Sequence, residues 1–236
     1  MTVDVENKRL ILKFDKKKFN FKKLFSSHLG KLYDSNLSKI HNKLDSKYLP
    51  KEIVKESNDQ KLSFYDVLYK IDPGYHLQQK QLDGDFLKKY KEFVEFLSNE
   101  VFQEKLIYQF KPTLRVQFPG NKAVGGWHRD RDYNHPIEEI NIWVPITKAR
   151  ETSAIWVESS FNAEDYSPVN IDFGEVLIFD SGLKHGNKIN QTNNTRLSFD
   201  FRIIPYSKYS KQTLKNHKKS VVQEIEFSIG KYYSVT

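Results

Sequence analysis

The chain of 236 residues contains no cysteine. This absence excludes a disulfide framework, zinc sites built on thiolates and a cysteine nucleophile. No run of apolar residues approaches the roughly 18 that a membrane-spanning helix needs, and residues 1–15 lack the apolar stretch of a signal peptide. We therefore expect a soluble, cytoplasmic protein with no membrane partner.

Apolar residues are plentiful enough for a core. They make up 38% of the chain, and the 17 Phe and 13 Tyr argue against wholesale disorder. No internal repeat or low-complexity linker divides the sequence, which predicts a single domain over residues 1–236. The net charge is +8, and its lysine clusters at 15–23 and 211–220 indicate a solvated surface or, as the alternative, a nucleic-acid partner.

The first part of the chain is predicted to be rich in helix. A short strand is expected at 9–14, and residues 20–50 carry apolar positions at helical spacing. The clearest amphipathic helix is predicted over 85–101, with Asp83 or Asp85 as its N-cap.

The hydrophobic pattern changes after residue 105. Runs of β-branched and aromatic residues follow at 111–118, 140–146, 153–159, 174–180 and 196–205. Their lengths and the Gly, Pro, Asn and Asp between them predict strands. We expect an α+β fold in which a helix-rich part (1–105) packs outside an antiparallel barrel or jelly roll (106–206), followed by a polar C-terminal extension (207–236).

A polar stretch, GGWHRDRDYNHP (125–136), contains the first candidate functional residues. On extended chain, residues two apart point the same way, so His128 and Asp130 are expected to share a face. Asp132 would share it too and is the alternative carboxylate. The pattern continues as 54 intervening residues, His185, ten more residues and Arg196 at the start of a strand.

These residue types suit one kind of metal site. Two neutral imidazoles and one carboxylate can hold one face of an octahedral Fe(II) and leave three positions open. The open positions match a bidentate cosubstrate and O2, and an arginine offers a charged fork for a distal carboxylate.

Several segments together resemble a known family. They are LRVQFPGN (114–121), GGWHRDRDYNHPIEEINIWVPIT (125–147), WVES (156–159), GEVLIFD (174–180), HGN (185–187) and NTRLSFDFRIIP (194–205). In order and spacing they resemble the non-haem Fe(II)/2-oxoglutarate-dependent oxygenases, and more closely the phytanoyl-hydroxylase-type branch that contains the streptomycin-biosynthesis oxygenase homologues.

The resemblance implies a double-stranded β-helix, a cupin-like jelly roll. It implies that His128, Asp130 and His185 are the iron ligands at the catalytic centre, and that Arg196, assisted by Ser198, binds the distal carboxylate of 2-oxoglutarate. The implied reaction couples decarboxylation of 2-oxoglutarate to succinate and CO2 with hydroxylation of an unactivated C–H bond.

Other polar residues on predicted strands are expected near the same pocket. Arg115 and Gln117 alternate on one predicted strand, and Asn141 lies on a strand face that is expected to point inward. Each is therefore a candidate contact of the cosubstrate or the substrate. The alternative is that they form a structural hydrogen-bond network. Arg202, seventeen residues after His185, is the rival of Arg196 for 2-oxoglutarate, or else it pairs with Asp200.

The sequence thus predicts a biosynthetic hydroxylase of a small molecule, with an amino-acid-like or anionic substrate. One alternative is a nucleic-acid demethylase or hydroxylase with the same metal core, which the absence of an identifiable base-gripping segment disfavours. Another is a non-enzymatic cupin-like binding protein. Nothing in the sequence indicates an oligomeric state.

Overall fold

The computed structural model describes residues 5–6, 8–26, 36–43, 76–120, 126–210, 214 and 226–236. Much of the predicted helical segment 20–50 lies outside these ranges. Its described parts are helical at 21–26 and form a 3-10 helix at Leu37–Lys43.

One long helix, α1 (His76–Phe96), runs into a π-helical segment, Leu97–Phe102. The helix predicted over 85–101 is confirmed, but the predicted caps are wrong. Asp83 and Asp85 lie inside α1, because the strong helix formers before them extend the helix toward the N-terminus. Among the described residues, no helix has both the length and the apolarity needed to cross a membrane.

The main sheet is antiparallel and has seven strands. They are β1 (Arg9–Lys13), β2 (Leu106–Gln109), β3 (Thr113–Gln117), β4 (Ile140–Pro145), β7 (Glu175–Asp180), β9 (Arg196–Pro205) and β10 (Tyr233–Val235). The order is β1-β7-β4-β9-β2-β10, and β3 also pairs with β9. The long strand β9 accepts β3 along its first half and β2 along its second.

A smaller sheet contains β5 (Trp156–Val157), β6 (Ser167–Pro168) and β8 (His185–Gly186), in the order β6-β5-β8. The two sheets enclose an apolar layer in which Trp143, Leu177 and Phe179 of the main sheet cluster with Ile155 and Val157. Residue alternation along each strand therefore divides the main sheet into two faces, one turned to the smaller sheet and one turned away.

The face turned away carries the aromatic core. Phe21 lies with its ring centroid 5.7 Å from that of Phe93 on α1 and 4.8 Å from that of Phe199 on β9. Such edge-to-face contacts bury large apolar areas. Odd-numbered residues of β9 join this core, so its even-numbered residues point to the opposite side, where the polar residues meet.

Candidate metal centre

His128, Asp130 and His185 come together at one end of the layer between the two sheets. Their candidate ligand atoms all lie within 4.8 Å of one another. His128 and His185 are held as a pair because their backbones exchange two hydrogen bonds, of 3.0 and 2.9 Å. The antiparallel bridge places the two imidazole centroids 4.5 Å apart, on the same side of the sheet.

Backbone carbonyls fix the orientation of both imidazoles. His128 Nδ1 lies 2.7 Å from the carbonyl oxygen of Gly126, and His185 Nδ1 lies 3.0 Å from that of Leu183. A carbonyl only accepts, so each Nδ1 carries the hydrogen and donates it. Nε2 of each neutral ring is then left with a lone pair, which is the arrangement found in metal-ligating histidines.

Asp130 begins a 3-10 turn, Asp130–Tyr133, and its carboxylate is held at both oxygens. Asn141 donates from Nδ2 to Oδ2 at 2.6 Å, and Arg202 donates from Nη2 to Oδ1 at 3.0 Å. The turn also corrects the alternation argument for Asp132. The chain is no longer extended there. Asp132 instead accepts the backbone N–H of Arg129, and it is not part of the cluster of possible metal ligands among the described residues.

The protonation states of His185 and Asp130 suit a divalent cation. Burial lowers the pKa of His185 to about 4, so its ring is neutral at pH 7. Burial raises the pKa of Asp130, but Arg202 and the nearby histidines outweigh it and hold that pKa well below its usual value. Burial lowers the pKa of His128, but Asp130 and the Gly126 carbonyl together outweigh burial, and the net shift of this pKa is upward.

Arg196 is almost completely buried, at 1% exposure. Its guanidinium donates to the oxygens of Ser198 (2.8 Å), Gln117 (3.1 Å) and Asn187 (2.8 Å), and to the carbonyl of Ser153 (3.2 Å). Within the described residues, none of its hydrogen-bond acceptors is a carboxylate. Burial lowers the pKa of Arg196 to about 9, so the group is still charged at neutral pH.

Arg202 has different partners. Besides Asp130, it donates to Asp200 at 3.2 Å, which is one of the alternatives that the sequence left open. Asp200 is also held by Arg115, whose Nε donates to Oδ1 at 2.7 Å and whose Nη2 donates to Oδ2 at 3.3 Å. Two arginines therefore share one carboxylate beside the metal-ligand candidates.

A cavity of about 50 Å³ joins these groups. Asn141 and the guanidinium-bearing residues Arg115, Arg196 and Arg202 line it together with His128 and His185, and its apolar wall is Trp143, Ile155 and Phe179. Gln117 and Ser198, both predicted near the cosubstrate, contact Arg196 from behind rather than lining this space.

Asn187 and Asp200 line the cavity although the sequence did not single them out as site residues. Asn187 follows β8 two residues after His185, and Asp200 lies between Ser198 and Arg202 on the same face of β9. The alternation that selected Ser198 and Arg202 was the available signal for Asp200.

No protein-family model matches this chain. Two solved structures are similar to it in fold. One is the non-haem α-ketoglutarate-dependent epimerase SnoN from nogalamycin biosynthesis, with TM-score 0.46, 10% identity and coverage of 85% of this chain and 78% of that chain. The other is CytC3 with Fe(II) and α-ketoglutarate, with TM-score 0.45, 15% identity and coverage of 85% and 74%.

A curated relative is more similar in sequence. The streptomycin biosynthesis protein StrG of Streptomyces griseus is 34% identical over 171 residues, which is 72% of this chain and 72% of that protein. This identity confirms the predicted resemblance to the streptomycin-biosynthesis homologues, and the chain belongs to the family of StrG.

Proposed function

We propose that the protein is an Fe(II)- and 2-oxoglutarate-dependent dioxygenase that hydroxylates an unactivated C–H bond of a small molecule. The observation that carries the proposal is one cavity lined by His128, His185 and Arg196, with Asp130 within ligand distance of both histidines. Arg196 is a buried cation whose acceptors are all neutral within the described chain. The three donor residues suit a metal ion, and Arg196 suits an anion. Fe(II) and 2-oxoglutarate are the two ligands of this enzyme class that match them.

The strand connections support the finer fold assignment, a double-stranded β-helix forming one domain. From β3 onward the chain passes to the His128 bridge, back to β4, across to β5 and β6, and then through β7 and β8 to β9. It therefore alternates between two facing layers, β3-β9-β4-β7 and His128-β8-β5-β6. Strands β1 and β10, near the two ends of the chain, extend the same main sheet.

The donor set fits Fe(II) in its chemistry. Two imidazole nitrogens and one carboxylate, His128, His185 and Asp130, leave three coordination positions for 2-oxoglutarate and O2. When bound, the iron and its cosubstrate supply O2 activation coupled to decarboxylation of 2-oxoglutarate to succinate and CO2. The chain's own part is to hold the ligands, the cosubstrate and the substrate in register, and to exclude water.

Arg196 is the residue that we assign to the distal carboxylate of 2-oxoglutarate. A buried guanidinium gains most from an anionic partner, because opposite charges attract strongly where water is excluded and a carboxylate can accept two parallel N–H groups. Ser198, Gln117 and Asn187 hold the guanidinium plane, and Trp143 lies under it with 5.5 Å between Cζ and the ring centroid. We propose that Ser198 and Gln117 assist cosubstrate binding through Arg196.

The remaining charged pair is the proposed substrate contact. Arg115 and Asp200 both line the cavity, and their side chains retain 27% and 15% exposure. A guanidinium beside a carboxylate suits a substrate that carries an anionic group together with an ammonium or hydroxyl donor. We therefore propose an amino-acid-like or other anionic small molecule, in a cytoplasmic biosynthetic reaction.

The proposal is tested without knowledge of the substrate. Isothermal titration calorimetry of 2-oxoglutarate into Mn(II)-loaded protein without oxygen should give saturable binding, and the same titration with EDTA in place of Mn(II) should give much weaker binding. Succinate release with Fe(II) and O2 provides the second readout. His185→Ala removes one ligand and should abolish metal-dependent binding and succinate release together.

The matched control is His41→Ala. His41 contacts Thr195 at 2.8 Å and contributes no atom to the metal-ligand set, so this variant should behave as the wild type does. Equal 2-oxoglutarate binding with Mn(II) and with EDTA, or equal succinate release by the wild type and His185→Ala, would contradict the proposal.

A further inference from the structure

The C-terminal segment, residues 226–236, lies against the loop that carries Asp130. Strand β10 fixes the segment because Tyr233 pairs with Gln109 of β2. Phe227 and Tyr232 then pack on His135, with ring centroids 4.5 and 6.2 Å from the imidazole. Nothing in the sequence pattern predicts this contact, because Glu139 and Tyr233 are 94 residues apart in the chain.

Glu139 links the segment to the loop. Its carboxylate is 1% exposed and accepts two hydrogen bonds, one from the Tyr233 hydroxyl and one from His135 Nδ1 at 2.8 Å. Burial raises the pKa of Tyr233 well above its usual value, so its hydroxyl keeps the proton that it donates. A buried carboxylate is costly unless donors of this kind satisfy it.

His135 and Asn141, which lie on either side of Glu139 in the sequence, both donate hydrogen bonds to Asp130. The backbone N–H of His135 donates to the carbonyl of Asp130 at 3.4 Å. On the other side, Asn141 follows Glu139 by two residues and donates to Asp130 Oδ2 at 2.6 Å. Ser181 closes the arrangement, because its N–H donates to the Glu139 carbonyl at 3.4 Å and its carbonyl accepts from Asp130 N–H at 3.2 Å.

We propose that the C-terminal segment is part of the metal centre, and that Tyr233 is a positioning residue that holds Asp130 in place through Glu139 and His135. The inference rests on the metal centre of the proposed function. It assigns to the tail a role in metal affinity, separate from its contribution to the stability of the sheet.

The test is the affinity of Tyr233→Phe for Mn(II), measured by electron paramagnetic resonance of the free ion. The substitution keeps the ring in the core and removes only the hydroxyl that Glu139 accepts. Loss of a direct partner of a metal ligand typically weakens metal binding 10- to 100-fold. Tyr233 acts through Glu139 rather than on a ligand directly, so we expect the low end of that range, a rise in the Mn(II) Kd of about tenfold. The matched control is Tyr206→Phe, because Tyr206 is 50% exposed. This variant should leave the Mn(II) Kd unchanged.

A second variant, Glu139→Gln, tests the linkage independently of Tyr233. If the two residues act through one another, the double variant should bind Mn(II) about as weakly as the weaker single variant, rather than with the product of the two losses. Thermal unfolding without metal measures how much the substitutions destabilise the fold. A purely structural role would lower the melting temperature and leave the Mn(II) Kd of the folded protein unchanged.

The outcomes separate the two proposals. Wild-type protein that fails to bind Mn(II) would overturn the proposed function and this inference with it. Wild-type binding together with a Tyr233→Phe Kd within twofold of the wild type would overturn the inference alone. If the Mn(II) Kd of the double variant rises by the product of the two single-variant increases, Tyr233 does not act through Glu139.

Discussion

Arg196 and Arg202 lie six residues apart on the same face of β9, yet their surroundings give them different chemistry. Arg202 donates to two carboxylates, Asp130 and Asp200, so its charge is already balanced within the chain. Arg196 donates to neutral oxygens only, among the residues described, and is more deeply buried. The difference in partners supports Arg196 as the cosubstrate residue.

Arg196→Met should therefore weaken 2-oxoglutarate binding far more than Arg202→Met does. Removing one member of a buried charge pair costs about 2–5 kcal/mol, and the lower end of that range corresponds to a rise in Kd of about thirtyfold. Calorimetric titration of 2-oxoglutarate into each Mn(II)-loaded variant measures the change in Kd.

Arg150→Met is the control for that comparison, because Arg150 pairs with Asp172 at the surface and should leave the Kd for 2-oxoglutarate unchanged. A larger loss in Arg202→Met than in Arg196→Met, at equal metal occupancy, would reverse the assignment of the two arginines.

At this scale the sequence could predict which residues share a strand face, but not which partners they contact. Alternation placed Ser198, Asp200 and Arg202 on one face with Arg196, and the structure agrees. Which carboxylate each arginine meets depends on neighbouring strands and loops, so the Arg202–Asp130 contact could not be inferred. Asp132 shows the limit of the same rule, since the 3-10 turn at Asp130 ends the extended geometry that the rule assumes.

Strand β9 is the element that connects the core to the site. Its odd-numbered residues, such as Phe199 and Phe201, pack against α1 and the N-terminal aromatics, while Arg196, Asp200 and Arg202 on its other face line the cavity. Tight packing behind the strand restricts its movement, and this rigidity keeps the polar face in register.

Phe93→Ala should be strongly destabilising, because the Phe93 ring is fully buried and contacts Phe14, Phe19 and Phe21. Removing such a ring typically costs about 3–5 kcal/mol in the free energy of unfolding, which denaturant titration measures. Ile189→Ala, at a side chain with 51% exposure, should change it by no more than about 0.5 kcal/mol. A loss near 1 kcal/mol for Phe93→Ala would contradict the packed interface.

Long, strongly patterned elements were predictable from sequence, whereas short ones were not. The predicted strands at 9–14, 111–118, 140–146, 174–180 and 196–205 are all present, in somewhat different lengths. The run at 153–159 forms only the two-residue β5, and β6, β8 and β10 have two or three residues each. Strands this short are defined by their pairing partners, and a local pattern carries too little information to reveal them.

The described lysine cluster lies away from the candidate site, whereas nearly all of the cluster at 211–220 lies outside the described residues. Lysines of the cluster at 15–23 are exposed beside Phe19 and Phe21, which pack on the side of the main sheet opposite the cavity. A nucleic-acid enzyme would be expected to direct such charge toward its pocket. The position of this cluster therefore favours a small-molecule substrate and agrees with a solvated, lysine-rich surface.

The proposed activity requires that His128, Asp130 and His185 bind one metal ion and that Arg196 binds the keto acid beside it. The most direct measurement is an anomalous diffraction map of crystals soaked with Mn(II) and 2-oxoglutarate without oxygen. We predict one Mn(II) peak bound by Nε2 of both histidines and a carboxylate oxygen of Asp130, with the distal carboxylate of 2-oxoglutarate on Arg196. A peak at any other group of ligands, or a distal carboxylate away from Arg196, would contradict the account.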